Sequence, residues 1–295
     1  MATGSQIITR ANRQLLSGVV EQRNKLASNI DASVTTVTCT YDLAGLREGQ
    51  VFEIDSELFY IWATDSASKS LTVERGFNGT TAASHTAGAL VTVNPRFPRN
   101  QMLEALNDEL ADLSSPINGL FQIKTVNIDY NGSDAMIDLT GTANIQEIYS
   151  VAVRYLTDDY IPIRRWRLMR NVPTDDFATG VALRMDQTVL AGRLRIVYKA
   201  PFSSLSSESD NLQSVAGLPA EAEDILALGV QIRLMSPREI KRNFTESQGD
   251  TRRADEVPGG AIGNSFTNLL RLRRDRITAE AQRLARQYPT YMTKV

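Results

Sequence analysis

One cysteine and one histidine in 295 residues exclude more chemistry than any motif in the chain supplies. Cys39 can form no disulfide within the chain, so the fold must rest on burial, and a reducing compartment is expected. A single imidazole and a single thiol cannot build an ordinary zinc or transition-metal site. His85 is the one ring that could activate Cys39 as a nucleophile. Cys39 instead stands between Thr38 and Thr40 in a strand-like run and reads as a small buried hydrophobe. Excess charge is missing too: the net charge is −2, so any pull toward nucleic acid or an anionic surface must come from a local patch. No run approaches the ~18 apolar residues of a membrane span. The opening MATGSQIITRANRQ has no signal-peptide core, and no membrane partner is expected.

Apolar residues at 42% suffice for packed cores, and their spacing changes along the chain. Ile8, Leu15, Leu16, Val19 and Val20 predict a helix over Gln6 to Leu26. Short β-branched segments follow: SVTTVTCT, GQVFEI, ELFYIWA, SLTVERG and ALVTVN, separated by Gly, Asp or Ser. Leu103, Leu106, Leu110 and Leu113 then place one face on a helix stopped by Ser114-Ser115-Pro116. VNIDYNGSDAMIDL predicts a hairpin turning at Asn131-Gly132. In GRLRIVYKAPF, Leu194, Ile196 and Tyr198 alternate with Arg193, Arg195 and Lys199, the pattern of a half-buried antiparallel strand.

After SSLSSESDN the chain turns helical, with Pro219 in the first turn and carboxylates where a helix N-terminus favours them. Ser236 and Glu239 predict a capping box that restarts the helix. Thr245 to Asn264 is polar and Gly-rich, a long exposed loop. A last helix over Ser265 to Gln287 carries Leu270, Ile277, Leu284 and Tyr288, and Pro289 leaves the arm TYMTKV. The expected fold is α+β: two antiparallel β-domains, a small barrel or sandwich and a β-sandwich, with connecting helices and a helical C-terminal region ending in an extended arm. The boundaries are an N-terminal helix over 1–30, the small β-domain over 31–96, a connecting helix over 97–118, the second β-domain over 119–205 and the helical region with its arm over 206–295.

Candidate sites follow from these placements. GFNGTT has no lysine to reach a phosphate, which argues against a P-loop. Gly76 and Gly79 instead supply the positive φ of a turn, and Thr80 closes local hydrogen bonds. His85 has Glu74 and Ser84 near it in sequence, but nothing places a nucleophile, an orienting carboxylate and an oxyanion hole together, and among Ala, Ser and Thr it reads as a hydrogen-bonded turn residue. The acidic pairs Asp158-Asp159 and Asp175-Asp176 read as solvated turns, with calcium binding as the alternative. IPIRRWRLMRN gathers Arg164, Arg165, Arg167 and Arg170 around Trp166. These could grip a phosphate backbone and stack on a base. They could equally pair with the four aspartates just named, within a subunit or across an interface. The local charge balance favours pairing and makes Arg164, Arg165 and Arg167 candidate subunit-interface residues. On the last helix, Arg271, Arg273, Arg274, Arg276, Arg283 and Arg286 outweigh Asp275 and Glu280. A solvated face, DNA contact and docking to a partner protein all fit; Tyr288 and Tyr291 favour docking.

The run LTVERGFNGTTAASHTAGALVTV resembles a β-module of tailed-bacteriophage structural proteins, V-x-R-G-x-x-G-T-x-A-x-x-H-x-x-G-x-x-V. Val73, Arg75, Gly76, Gly79, Thr80, Ala82, His85, Gly88 and Val91 match it. The helix in FPRNQMLEALNDELADL resembles the one that follows in such proteins, so the likeness covers Leu58 to Leu113. Within that class the order of parts resembles a head-to-tail adaptor, also called a connector or neck protein. The resemblance implies a non-enzymatic homo-oligomeric ring, commonly of twelve copies, without cofactor. It implies a portal protein and tail or neck proteins as partners, and a place in the virion neck after assembly in the host cytoplasm. Non-specific contact with genomic DNA in the channel is a further expectation. On this reading Arg75, Gly76, Gly79, Thr80, His85 and Gly88 are structural turn residues of the module. Arg271, Arg273, Arg274, Arg276, Tyr288 and Tyr291 are then the portal-docking residues. A tail or baseplate protein, and a virion-associated hydrolase using a surface carboxylate pair, are the alternatives.

Overall fold

Burial divides the chain into three apolar cores: a barrel, a sandwich and a helical bundle. The computed structural model describes residues 2–16, 18–139, 142, 144–155, 159–246 and 261–288. The barrel comprises β1 (Arg23–Lys25), β2 (Thr36–Thr38), β3 (Val51–Ile54), β4 (Glu57–Asp65), β5 (Ser70–Glu74) and β6 (Leu90–Val93). These form one antiparallel sheet in the order β1-β6-β3-β4-β5-β2. Its two edges meet. The Ala27 N–H donates to the Thr38 carbonyl at 2.8 Å, the Thr40 N–H donates to Lys25 at 2.8 Å, and buried Asn24 bonds the backbone of Tyr41 and Asp42. Closure removes the unpaired edges of an open sheet. Inside, Phe52 and Phe59 are register partners and stack at 4.7 Å. Cys39 is buried among them, and burial pushes its thiol up to about 11.

The expected first helix is shorter than its apolar spacing predicts. α1 spans Gly4–Leu16, and Arg23–Lys25 is the edge strand β1 instead. Gly18 takes a left-handed φ of 86°, and the Val19 N–H turns back onto the Leu16 carbonyl, which ends the helix. Val19 and Val20, counted toward its apolar side, are exposed.

The sandwich pairs two antiparallel sheets over one core. β10 (Ile161–Ile163), β9 (Glu147–Arg154), β13 (Gly192–Ala200) and β7 (Gln122–Tyr130) make the first. β11 (Trp166–Arg170), β12 (Val181–Met185) and β8 (Met136–Asp138) make the second. The predicted hairpin at Asn131-Gly132 is therefore a corner between sheets: β7 pairs with β13, whereas β8 pairs with β12. Asn131 Oδ1 accepts the N–H groups of Ser133 and Asp134, a side-chain turn that redirects the chain away from β7. Alternation in β13 is as expected, with Leu194, Ile196 and Tyr198 buried and Arg193 and Arg195 exposed. Lys199 departs from it, buried with its Nζ 2.8 Å from Glu147.

The helical core joins remote parts of the sequence: α1, α2 (Arg99–Leu113), α3 (Glu223–Glu246) and α4 (Ala261–Gln287). α2 buries Met102, Leu106, Glu109, Leu110 and Leu113, so its inward face includes a carboxylate and leaves Leu103 at the margin. α3 runs unbroken through Ser236-Pro237, in place of the predicted restart. α4 buries Ile277, Glu280 and Leu284 and exposes Leu270. The arm over 289–295, and 247–260 of the predicted loop, lie outside the described residues. The fold is thus α+β, with two antiparallel β units and helices, α4 closing the described chain.

Candidate functional site

The period-two alternation that fills the barrel also carries two ionisable groups inward, and an isolated bridge to Ile30 brings in a third, His85. Phe59 and Ile61 of β4 face the core, and Glu57 lies in phase with them; Arg75 is likewise in phase with Leu71 and Val73 of β5. The side chains of Glu57, Arg75 and His85 are 2%, 7% and 3% exposed. Arg75 Nε donates to Glu57 Oε1 at 2.8 Å and Nη2 donates to Oε2 at 2.9 Å, a bidentate pair. Its remaining donors reach the carbonyls of Asp31, Val34 and Ala83, so all five guanidinium N–H groups are used. Its Cζ also lies 4.8 Å from the centroid of Phe59.

Glu57 accepts three more contacts. The backbone N–H groups of Gly76 and Ala83 donate to it at 3.1 and 2.9 Å, and His85 Nε2 lies 2.9 Å from Oε2. His85 Nδ1 is 2.7 Å from Asp55 Oδ2, and its backbone exchanges hydrogen bonds with Ile30. Burial alone would push the Glu57 carboxyl up, but the bonds from Arg75, His85, Ala83 and Gly76 outweigh it and hold the pKa at about 2. Gly76 sits at φ 62°, where a Cβ would lie 2.8 Å from the Thr80 carbonyl. Thr80 Oγ1 donates to Phe77 O and accepts from the Leu58 N–H, while the Gly88 N–H donates to Leu26. The network ties β4, β5 and the 27–35 segment around one carboxylate whose acceptor sites are occupied. Sequence reasoning missed Glu57 and Asp55 as partners of His85, because Glu57 is 28 positions away. The readable signal was an acid at a core-facing phase of a strand.

A second buried carboxylate organises the helices. Glu109 of α2 accepts Arg233 Nε of α3 at 3.0 Å and Arg273 Nε of α4 at 2.7 Å. Burial pushes the Glu109 carboxyl up, while Arg273 and Arg233 pull against that rise. Gly229 of α3 makes room: a Cβ there would lie 2.0 Å from Glu109 Cδ. Arg273 also pairs with Asp112, and Arg276 with Asp224 at 2.8 Å. Tyr288 is half-buried, edge-on to Tyr149 at 5.6 Å and to Phe121 at 6.4 Å. Of the six α4 and arm residues, Arg273, Arg276 and Tyr288 thus seat α4 on the rest of the subunit. Arg271 and Arg274 are exposed, and Tyr291 lies outside the described residues.

Arg164, Arg165 and Arg167 are exposed around the β10–β11 turn. Arg167 pairs with Asp186 at 2.6 Å rather than with the aspartates nearest in sequence, and Arg184 shares that carboxylate. Arg170 donates to the carbonyls of Ile145 and Gln146. Asp175 and Asp176 are exposed, and Asp158 lies outside the described residues. A polar cleft of about 560 Å³ separates barrel from helical core, lined by Glu53, Arg99, Glu208 and Ser5 among others. Glu53 accepts the Arg99 N–H, and the Arg99 side chain binds Glu208 and Ser5. Burial raises the Glu53 carboxyl to about 8 against the pull of Arg99. Among the described residues no group of three or more His, Cys, Asp or Glu could hold a metal ion, and no helix is long and apolar enough to cross a membrane.

No protein-family model matches the chain, and no curated protein matches it. A solved chain to which it is similar comes from the neck of an empty GTA particle computed with C6 symmetry. The two are 17% identical with a TM-score of 0.21, and the match covers 45% of this chain and 65% of the other, less than two thirds of its length.

Proposed function

We propose that this chain is a non-enzymatic structural subunit of a tailed-phage-like particle, forming a ring in the neck that joins portal to tail. The observation that carries the reading is the Glu57 network. The residues of the phage-like run with the most chemical character, Arg75 and His85, are spent on holding a barrel closed, with no acceptor site of Glu57 left for a substrate. That supports a scaffold module, in keeping with the sequence resemblance. A ring subunit meets identical neighbours through heterologous contacts that close by rotation, and the resemblance sets the expected copy number at twelve. Arg164 and Arg165, exposed on the sandwich, fit the contact between copies. Exposed Arg271 and Arg274 with the 289–295 arm fit docking onto the portal, on a helix whose other arginines fix it to the subunit.

Removing residues 289–295 tests the docking half of the reading. The shortened subunit should keep its far-UV circular dichroism and still self-assemble, yet fail to attach to portal-bearing heads. Attachment equal to the full chain would count against portal docking through the arm. Recovery of the protein with a tail tip or baseplate fraction would favour the tail-component reading.

A further inference from the structure

The outer face of the first sandwich sheet carries a charge cluster that neither the core nor the proposed ring contacts use. Alternation sends Leu194 and Ile196 of β13 inward and leaves Arg193 and Arg195 on the opposite face. In register on the neighbouring strand β9, Arg154 stands directly across from Arg193. Like charges opposite each other in a sheet destabilise it, so the fold gains nothing from this pair. Tyr160, just before β10, sits between the guanidiniums: Arg195 Cζ lies 4.1 Å from its ring centroid and Arg154 Cζ 5.6 Å. The ring orders both by cation–π contact without neutralising either. Among the described residues none of the three arginines makes an ion pair. Asp129, across from Arg193 on β7, does not close a bridge, and Asn127 follows it on the same face across from Arg195.

We propose that this face binds the phosphate backbone of double-stranded DNA without reading its sequence. Arginine, tyrosine and asparagine are side chains that make phosphate contacts. Three guanidiniums that form no ion pair among the described residues, with Asp129 as the one carboxylate in register beside them, give this face a positive potential in a chain whose net charge is −2. Charge contacts from an open sheet face reach the phosphates rather than the base edges, so sequence preference is not expected. The inference does not rest on the neck reading. The face could bind DNA in a monomer, and a ring could form without it.

The test uses the full chain and two fluorescently labelled duplexes of unrelated sequence, with anisotropy read across a salt series. Both duplexes should bind alike, with log K falling linearly against log salt. R154Q/R193Q/R195Q should flatten that slope by about 0.9 for each phosphate no longer neutralised, and R193K/R195K should retain it. R271Q/R274Q, on a different surface, should leave it unchanged. The triple variant removes mutual repulsion and also the cation–π contacts to Tyr160, so its thermal midpoint is measured beside the binding, and R193K/R195K separates lost charge from lost fold. Absence of binding at low salt, or an unchanged slope in the triple glutamine variant, would overturn the proposal. Failure of that variant to self-associate while DNA binding persists would also overturn it, and would assign the face to contact with a second copy.

Discussion

Replacing Glu57 by glutamine should unlatch the barrel. The amide keeps the side chain's size but turns an NH2 group toward donors, and leaves Arg75 buried without its counter-ion. Removing one partner of a buried, hydrogen-bonded pair costs about 3–5 kcal/mol. The carboxyl's own titration gives a similar figure. Lowering it from an ordinary 4.5 to about 2 corresponds to about 3 kcal/mol. The folded-state value lies below the unfolded one, so the unfolded chain takes up the proton first as pH falls. The contribution is complete above about pH 4.5 and disappears between there and about pH 2. The chain's two tryptophans, Trp62 in β4 and Trp166 in β11, allow the barrel to be followed alone. In a Trp166→Phe background, urea unfolding read by Trp62 fluorescence should shift down by about 1–3 M in E57Q. The acid limb of stability below pH 4.5 should flatten with it. A change under about 0.5 kcal/mol, the size of an ordinary surface substitution, would refute the network's role.

Gly76→Ala should destabilise the same transition by about 1–3 kcal/mol, since φ is 62° and the new Cβ meets the Thr80 carbonyl. Gly79→Ala, at φ 81° in open space, should cost less, and equal effects would contradict the steric argument. Gly229→Ala should lower the thermal midpoint despite a helix-propensity gain of about 1 kcal/mol, because its Cβ displaces Glu109 from Arg233 and Arg273. In a Glu109→Ala background that penalty should vanish, and a double-mutant cycle without coupling would sink the claim. Glu53, raised to about 8, carries the opposite pH sign: its contribution is full below about 4.5 and is lost as pH rises through 8. Glu53→Gln should therefore flatten the alkaline decline in a denaturation series from pH 5 to 9, and an unaltered decline would assign it elsewhere.

Local patterns in the chain announced much of this fold, and tertiary pairings did not. Alternation through Leu194, Ile196 and Tyr198 located the central sandwich strand, and the β-branched segments located five of the six barrel strands. The sixth, Arg23–Lys25, carries no β-branched residue and is a strand because β6 and the Asn24 side chain hold it. Asn131-Gly132 has the composition of a hairpin turn, yet whether flanking strands pair with each other is decided by β12 and β13, far along the chain. Glu57 and Glu109 stayed hidden for a shared reason. An acid at an apolar phase reads as an irregularity until its arginine, 18 positions away for Arg75 and 164 for Arg273, is brought alongside. Gly229, a glycine inside a helical run, was the available hint that something approaches α3 closely.

Electron cryo-microscopy of the intact particle tests the central claim most directly. This chain should appear as a closed ring of identical copies at the junction of head and tail, its barrel and sandwich forming the wall. Density for it at the tail tip or baseplate, a single unassembled copy, or its absence from the particle would contradict that claim.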